Sequence, residues 1–214
     1  FRSGIIGSTG SGKSTLVNLI PRFYDPTSGK VLLDGVDIRN YNEATLRKNI
    51  SIVLQSATLF SGTVKSNIVQ GDLDAVEDDI TRAAKIAQAK EFIDRLPENY
   101  ESIVYQRGNN LSGGQKQRIS IARGLVGNPR ILILDDSTSA LDAKSESLVK
   151  KALNRELKNT TTIMVAQKIS SIIDADKIVL IDQGQILAVG SHEELMNNSV
   201  HYKNIYNTQL GEEA

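Results

Sequence analysis

Gly7-Ser8-Thr9-Gly10-Ser11-Gly12-Lys13-Ser14 fits the pattern G-x-x-x-x-G-K-[ST] at every fixed position. Ile5-Ile6 before it ends an aliphatic strand, and Leu16 to Ile20 after it is an apolar helical segment. Strand, glycine turn and helix in that order make a phosphate cradle. Glycines let backbone N–H groups close around phosphate oxygens, and the helix aims its positive end at them. Lys13 then reaches the β- and γ-phosphates and Ser14 offers a hydroxyl to Mg2+, with Thr15 next in the same set. An ordinary Gly/Ser turn would require neither the lysine nor the flanking elements.

Working outward, short aliphatic segments alternate with helix-like ones, the pattern of an α/β domain with a mainly parallel sheet. Val31 to Leu33 reads as a strand closed by Asp34-Gly35; Ser51 to Leu54, Ile131 to Leu134 and Thr161 to Val165 follow. Lys177 to Ile181 turns through Gln183-Gly184 into Gln185 to Val189, an antiparallel hairpin. Ile80, Ala83, Ala84, Ala87 and Ile93 recur at helical spacing on a long charged segment between Leu73 and Leu96. We therefore expect a P-loop core over 1–55 and 128–214, interrupted by a helical subdomain over 56–127 whose end Pro129 punctuates. Ser191-His192-Glu193-Glu194 has capping-box spacing, which places His192 in the first turn of a short helix, at the surface.

Composition narrows the function. With 25 basic and 25 acidic residues among 214, net charge is zero, which argues against a surface devoted to nucleic acid. There is no cysteine, so disulfides, thiol nucleophiles and thiolate metal sites are excluded, and His192 and His201 alone make no histidine cluster. The longest aliphatic run, Ile131 to Leu134, is far short of a membrane span. Phe1 lies six residues before Gly7, so we expect the sequence to begin inside a longer chain.

Two further elements bear on phosphate chemistry. Ile131-Leu132-Ile133-Leu134-Asp135 sets a carboxylate at the end of a continuous apolar strand, and in a parallel sheet that end faces the ligand crevice. Asp135 can hold Mg2+ there, directly or through water. Alone it is a common strand exit; beside the cradle it implies a nucleoside triphosphate. Leu111-Ser112-Gly113-Gly114-Gln115 opens a second helix, with Ser112 as N-cap and two glycines leaving amides bare at its positive end. Ser-Gly-Gly by itself reads equally well as a plain capped helix.

With Gly7 to Ser14, Gln55, Asp135 and Ser139-Ala140-Leu141-Asp142 in order, Leu111 to Gln115 resembles the signature of ABC ATPases, and the chain resembles an ABC transporter nucleotide-binding domain nearly throughout. Leu59-Phe60-Ser61-Gly62-Thr63 with Asn67-Ile68 resembles the exporter branch. The resemblance implies ATP and Mg2+ as ligands, with transmembrane domains N-terminal to this region and a place at the cytoplasmic face of the cell membrane. It also implies head-to-tail pairing with a second nucleotide-binding domain. Each ATP then lies between one chain's phosphate loop and its partner's signature, touched by Ser112, Gly113, Gly114 and Gln115. Gln55 senses Mg2+ and attacking water near the membrane domains, and Asp142 lies at the dimer seam.

The sequence departs from that family at three places. Where the family carries a glutamate that polarises water, this chain has Asp136, about 1.5 Å shorter in reach. Where a histidine meets the γ-phosphate, it has Gln167, which can hydrogen-bond but carries no charge. Gln106 stands where a glutamate usually precedes the signature. Asp136, Gln167 and Gln55 are thus the expected catalytic set, Ser14, Gln55 and Asp135 the metal set. Two losses on one constellation lead us to expect the degenerate half of a heterodimeric exporter. Such a half binds ATP, hydrolyses it slowly, and lends its signature to a non-identical partner with the glutamate and histidine intact. The competing reading is a regulatory module in which ATP only glues a dimer. A P-loop kinase or switch GTPase leaves the signature and Gln55 unexplained, and the 98 residues from Lys13 to Leu111 leave no room for the coiled coils of DNA-maintenance ATPases. The family stacks adenine on an aromatic residue well upstream of the loop; Phe1 is too near Gly7 for that role, and Tyr24, Tyr41 and Tyr105 read as structural.

Overall fold

A computed structural model describes residues 1–211, which form two compact units: 1–47 together with the chain from Thr161 onward, and 48–160. In the first, strand β1 (Arg2–Ile6) runs into helix α1 (Lys13–Asn18). β2 (Leu32–Leu33) and β3 (Val36–Asp37) form a small antiparallel hairpin. Its turn residues Asp34 and Gly35 both take positive φ, 50° and 81°, the tight geometry that suits strand twist. The hydroxyl of Tyr41 donates to the Leu33 carbonyl at 3.0 Å, so this tyrosine is structural as expected. Helix α2 (Glu43–Lys48) ends this stretch.

The second unit begins with β4 (Ile50–Val53), followed by β5 (Gly62–Thr63) and helices α3 (Val64–Val69), α4 (Glu77–Ile86) and α5 (Lys90–Ile93). β6 (Ile103–Val104) pairs antiparallel with β5. The segment from Leu73 to Leu96 is thus two helices rather than one, because Gln88 takes φ 56° and breaks the run after Ala87. Helix α6 (Gly113–Leu125), strand β7 (Ile131–Asp135) and helix α7 (Ala143–Glu156) complete the unit. β7 is buried at every residue and pairs in parallel with β4, from Ile50 opposite Ile131 to Val53 opposite Leu134. Helix α6 lies close on β4: a Cβ added at Gly124 would stand 2.5 Å from Val53 Cγ2. The expected helical subdomain, 56–127, falls wholly inside this unit, which also takes in β4, β7 and α7.

The chain then returns to the first unit with β8 (Thr161–Ala166), β9 (Lys177–Asp182) and β10 (Gln185–Gly190). β1 lies between β8 and β9, parallel to both, with Ile6 opposite Ala166 and Leu180. β10 folds back antiparallel on β9 through Gln183 and Gly184, as the sequence suggests. Helices α8 (His192–Asn198) and α9 (Val200–Gly211) close the unit. Ile6, Ala166, Ile169, Ile178, Leu180 and the fully buried Tyr202 form its core. His192 is the first residue of α8 but only half-exposed, its Nδ1 lying 2.9 Å from the Tyr202 hydroxyl. Burial pushes the Tyr202 phenol up to about 12, so it stays protonated.

Candidate functional site

In the first unit the phosphate loop leaves β1 at Gly7, where the backbone is too crowded for a side chain. A Cβ there would meet the Ile181 carbonyl oxygen at 2.0 Å and Ser11 Oγ at 2.8 Å. Gly12, at φ 99°, turns the loop into α1 in a conformation that favours glycine. Ser11 is buried; its amide donates to Ser8 O at 3.1 Å, and its carbonyl accepts from Gly184 N at 3.0 Å. The hydroxyl of Ser8 donates to Asp182 Oδ1 at 2.8 Å. The loop is therefore moored to the β9–β10 turn. Lys13 folds over it, Nζ donating to the carbonyls of Gly7 at 2.9 Å and Ser8 at 2.7 Å, with Ser11 Oγ at 3.4 Å. Ser14 and Thr15 are exposed, and α1 has no acidic residue in its first turn to oppose an anion.

Gln167 is exposed and follows β8 directly. Because Ala166 is opposite Ile6 in the parallel ladder, Gln167 and Gly7 leave neighbouring strands at the same level. The register, not the sequence distance of 160 residues, brings them together. Gly7→Ala is expected to lower stability by about 3 kcal/mol, the upper end of the usual cost of overpacking, and to disorganise the loop. A urea denaturation curve and ATP titration of the same variant check both.

In the second unit Asp135 ends β7 at 8% exposure, and its carboxylate accepts no hydrogen bond from the other described residues. A nearly buried carboxylate without protein donors suits a cation. Asp135 is thus the candidate Mg2+ ligand of this unit, and no cluster of three His, Cys, Asp or Glu exists among the described residues. Asp136 follows at φ 47°, a left-handed conformation that few non-glycine residues adopt. Gln55 stands two positions past the last β4 residue paired with β7, as Asp136 does on its own strand. Its Nε2 accordingly donates to Asp136 Oδ2 at 2.9 Å.

The Ser112 helix start is also observed. Ser112 Oγ accepts from Gln115 N at 3.2 Å while Gln115 Oε1 accepts from Ser112 N at 2.8 Å, a reciprocal cap on α6. Gln115, read from the sequence as a ligand contact, thus has a capping role in the structure. Gly113 is open to solvent, and the Cβ position of Gly114 lies 3.7 Å from the Ala140 carbonyl. The signature and the Ser139–Asp142 segment are therefore adjacent. Asp142 caps α7, accepting from Ser145 Oγ at 2.7 Å and Ser145 N at 2.9 Å. These bonds, the side-chain one foremost, hold its carboxyl below the usual range. Gln106 is exposed in a short 3-10 turn before the signature.

A groove of about 370 Å³ lies on this unit, lined by Ser51, Leu54, Ser56, Thr58, Phe60 and Arg123 among others. Arg123 fixes its rim by donating to Thr58 O at 3.0 Å, Asn67 O at 2.8 Å and Asn67 Oδ1 at 3.0 Å. The buried Asn67 in turn holds both backbone groups of Phe60. Asp182 and Arg123 went unread in the sequence, and Asn67 entered only as part of the exporter-like segment. Asp182 at a strand exit beside a Gln-Gly turn carried a signal, but Arg123 and the bonds of Asn67 lie on helices where only packing reveals them.

Comparison with known proteins bears on the chain as a whole. The family profile "ABC transporter" matches residues 2–139. The chain is 51% identical over 205 residues to YgaD of Bacillus subtilis (strain 168), whose name places it among multidrug export ATP-binding/permease proteins; the match spans 96% of this chain and 35% of that protein. It is 50% identical over 204 residues to the similarly named SAV1866 of Staphylococcus aureus (strain Mu50 / ATCC 700699), spanning 95% and 35%. A solved bacterial Atm1-family ABC exporter with ATP bound superposes with a TM-score of 0.93 at 41% identity, over 97% of this chain and 37% of that one. The chain thus spans about a third of the length of these relatives.

Proposed function

Because this chain belongs to the ABC transporter family, we propose that it is the ATP-binding domain of a membrane exporter and that its own ATP site is catalytically impaired. The loop from Gly7 to Ser14, with Thr15, holds the triphosphate. Ser14, Asp135 and Gln55 would hold Mg2+, which would supply positive charge against that building on the phosphate oxygens. Ser112, Gly113 and Gly114 meet the γ-phosphate of ATP held by a second nucleotide-binding domain, and Asp142 lies at that seam. The groove beside Phe60 and Leu54, both about half exposed, receives a segment of the transmembrane domains. No described helix is long and apolar enough to cross a membrane. The relatives are named ATP-binding/permease proteins, and on that likeness the domain works beside transmembrane domains at the cytoplasmic face of the membrane.

The observation that carries the impairment is Asp136. Its short carboxylate sits on left-handed backbone and one oxygen is committed to Gln55, so little remains to orient water as a longer glutamate would. Gln167 replaces a group that could carry charge. The partner is accordingly a non-identical subunit with glutamate and histidine at these positions. Co-purification with such a subunit should raise Mg2+-dependent turnover at least about 100-fold over this chain alone, the lower range of an acid–base contribution. Absence of activation at every subunit ratio would instead favour a module in which ATP is only dimer glue.

A further inference from the structure

Helix α9 reaches back to the segment that carries Gln167. The carboxamide of Gln209 makes two hydrogen bonds there: Nε2 donates to the Gln167 carbonyl at 2.8 Å, and Oε1 accepts from the Ile169 amide at 2.8 Å. A planar amide offers a donor and an acceptor side by side, so it serves the backbone across Lys168 as a neighbouring strand would. Lys168 is extended, at φ −105° and ψ 133°, and the β1–β8 ladder ends at Ala166. Gln209 therefore carries ordered extended backbone past the end of the sheet. Both ends of this clamp are fixed: Ile169 and Tyr202 of α9 are buried in one core cluster, and His192 meets the Tyr202 hydroxyl.

We infer that Gln209 is a positioning residue, which sets the backbone of 167–169 and thereby the aim of Gln167 at the terminal phosphate. This rests on the reading above that Gln167 meets the γ-phosphate. Gln209 itself touches no substrate. Its effect should fall on the group that distinguishes ATP from ADP and spare the loop contacts that both nucleotides share.

The test is the ratio of ATP to ADP affinity, measured by calorimetric titration of the full chain with Mg-ATP and with Mg-ADP. Gln167→Ala should lower that preference about 10-fold, the scale of one hydrogen bond to a charged group. Gln209→Ala should lower it at least about 3-fold, a partial loss of the same bond, and alanine does not weaken the helix. Gln209→Glu keeps the chain length and the acceptor for Ile169 but has no donor for the Gln167 carbonyl, so it should also lower the ratio. In the Gln167→Ala background neither change should lower it further. Equal weakening of ATP and ADP, an unchanged ratio, or an additive double variant would each overturn the inference while leaving the Gln167 reading intact. A Gln167→Ala ratio equal to wild type would overturn that reading, and the inference with it.

Discussion

Asp136→Glu combined with Gln167→His is expected to raise ATP turnover of the full chain by about 100-fold, the cost attached to misplacing a reacting group by an ångström or so. The added methylene restores about 1.5 Å of reach. That matters here because Asp136 cannot gain reach by moving: its backbone is left-handed and Gln55 holds one of its oxygens at 2.9 Å. Histidine at 167 restores a side chain that can carry charge and pass a proton near neutral pH. Register already places that position beside Gly7, so no rearrangement is required. The two groups serve one step, so each single substitution should give much less than the pair, as residues acting as a unit do. Phosphate release at saturating Mg-ATP, compared across wild type, both singles and the double, reads this directly. A double variant within about 3-fold of wild type, well short of the expected gain, would mean that some other feature disables the site.

The second large effect is a loss. Lys13→Ala should weaken ATP binding by at least about 100-fold, since an ammonium bonded to two phosphate groups contributes on the order of 1.5–3 kcal/mol per bond. The same side chain now ties the Gly7 and Ser8 carbonyls, so its removal also frees the loop from its folded form. Lys13→Arg should not rescue it, because a broad planar guanidinium cannot occupy the place of a compact ammonium over those carbonyls. Calorimetric titration with Mg-ATP checks this; an affinity within a few-fold of wild type would show that the loop does not hold the triphosphate.

Legibility in the sequence follows the range of the forces involved. The phosphate loop could be read residue by residue because local backbone geometry dictates it: Gly7 has no room for a Cβ and Gly12 takes positive φ. The β7 run and the Ser112 start were legible for the same reason, one through continuous burial and the other through capping. What escaped lies in long-range contacts or single backbone choices. Ser8 meets Asp182 across 174 residues and Gln209 meets Gln167 across 42, separations at which periodicity carries no information. Gln88 breaks one apparent helix into two through a single dihedral. Gln115 was legible as part of the signature, but the cap its carboxamide closes on Ser112 is seen only in the structure. The division into 1–55, 56–127 and 128–214 followed the alternation of strand-like and helix-like segments, and the compact units add that β4 and β7 group with α6.

Steady-state phosphate release from the purified full chain, paired only with itself and supplied with saturating Mg-ATP, is the decisive measurement, with ATP binding titrated on the same sample. We expect saturable ATP binding with turnover at least about 100-fold below the ~10 s⁻¹ typical of enzymes. Turnover near that typical rate, with both signature and catalytic groups drawn from copies of this one chain, would contradict the account.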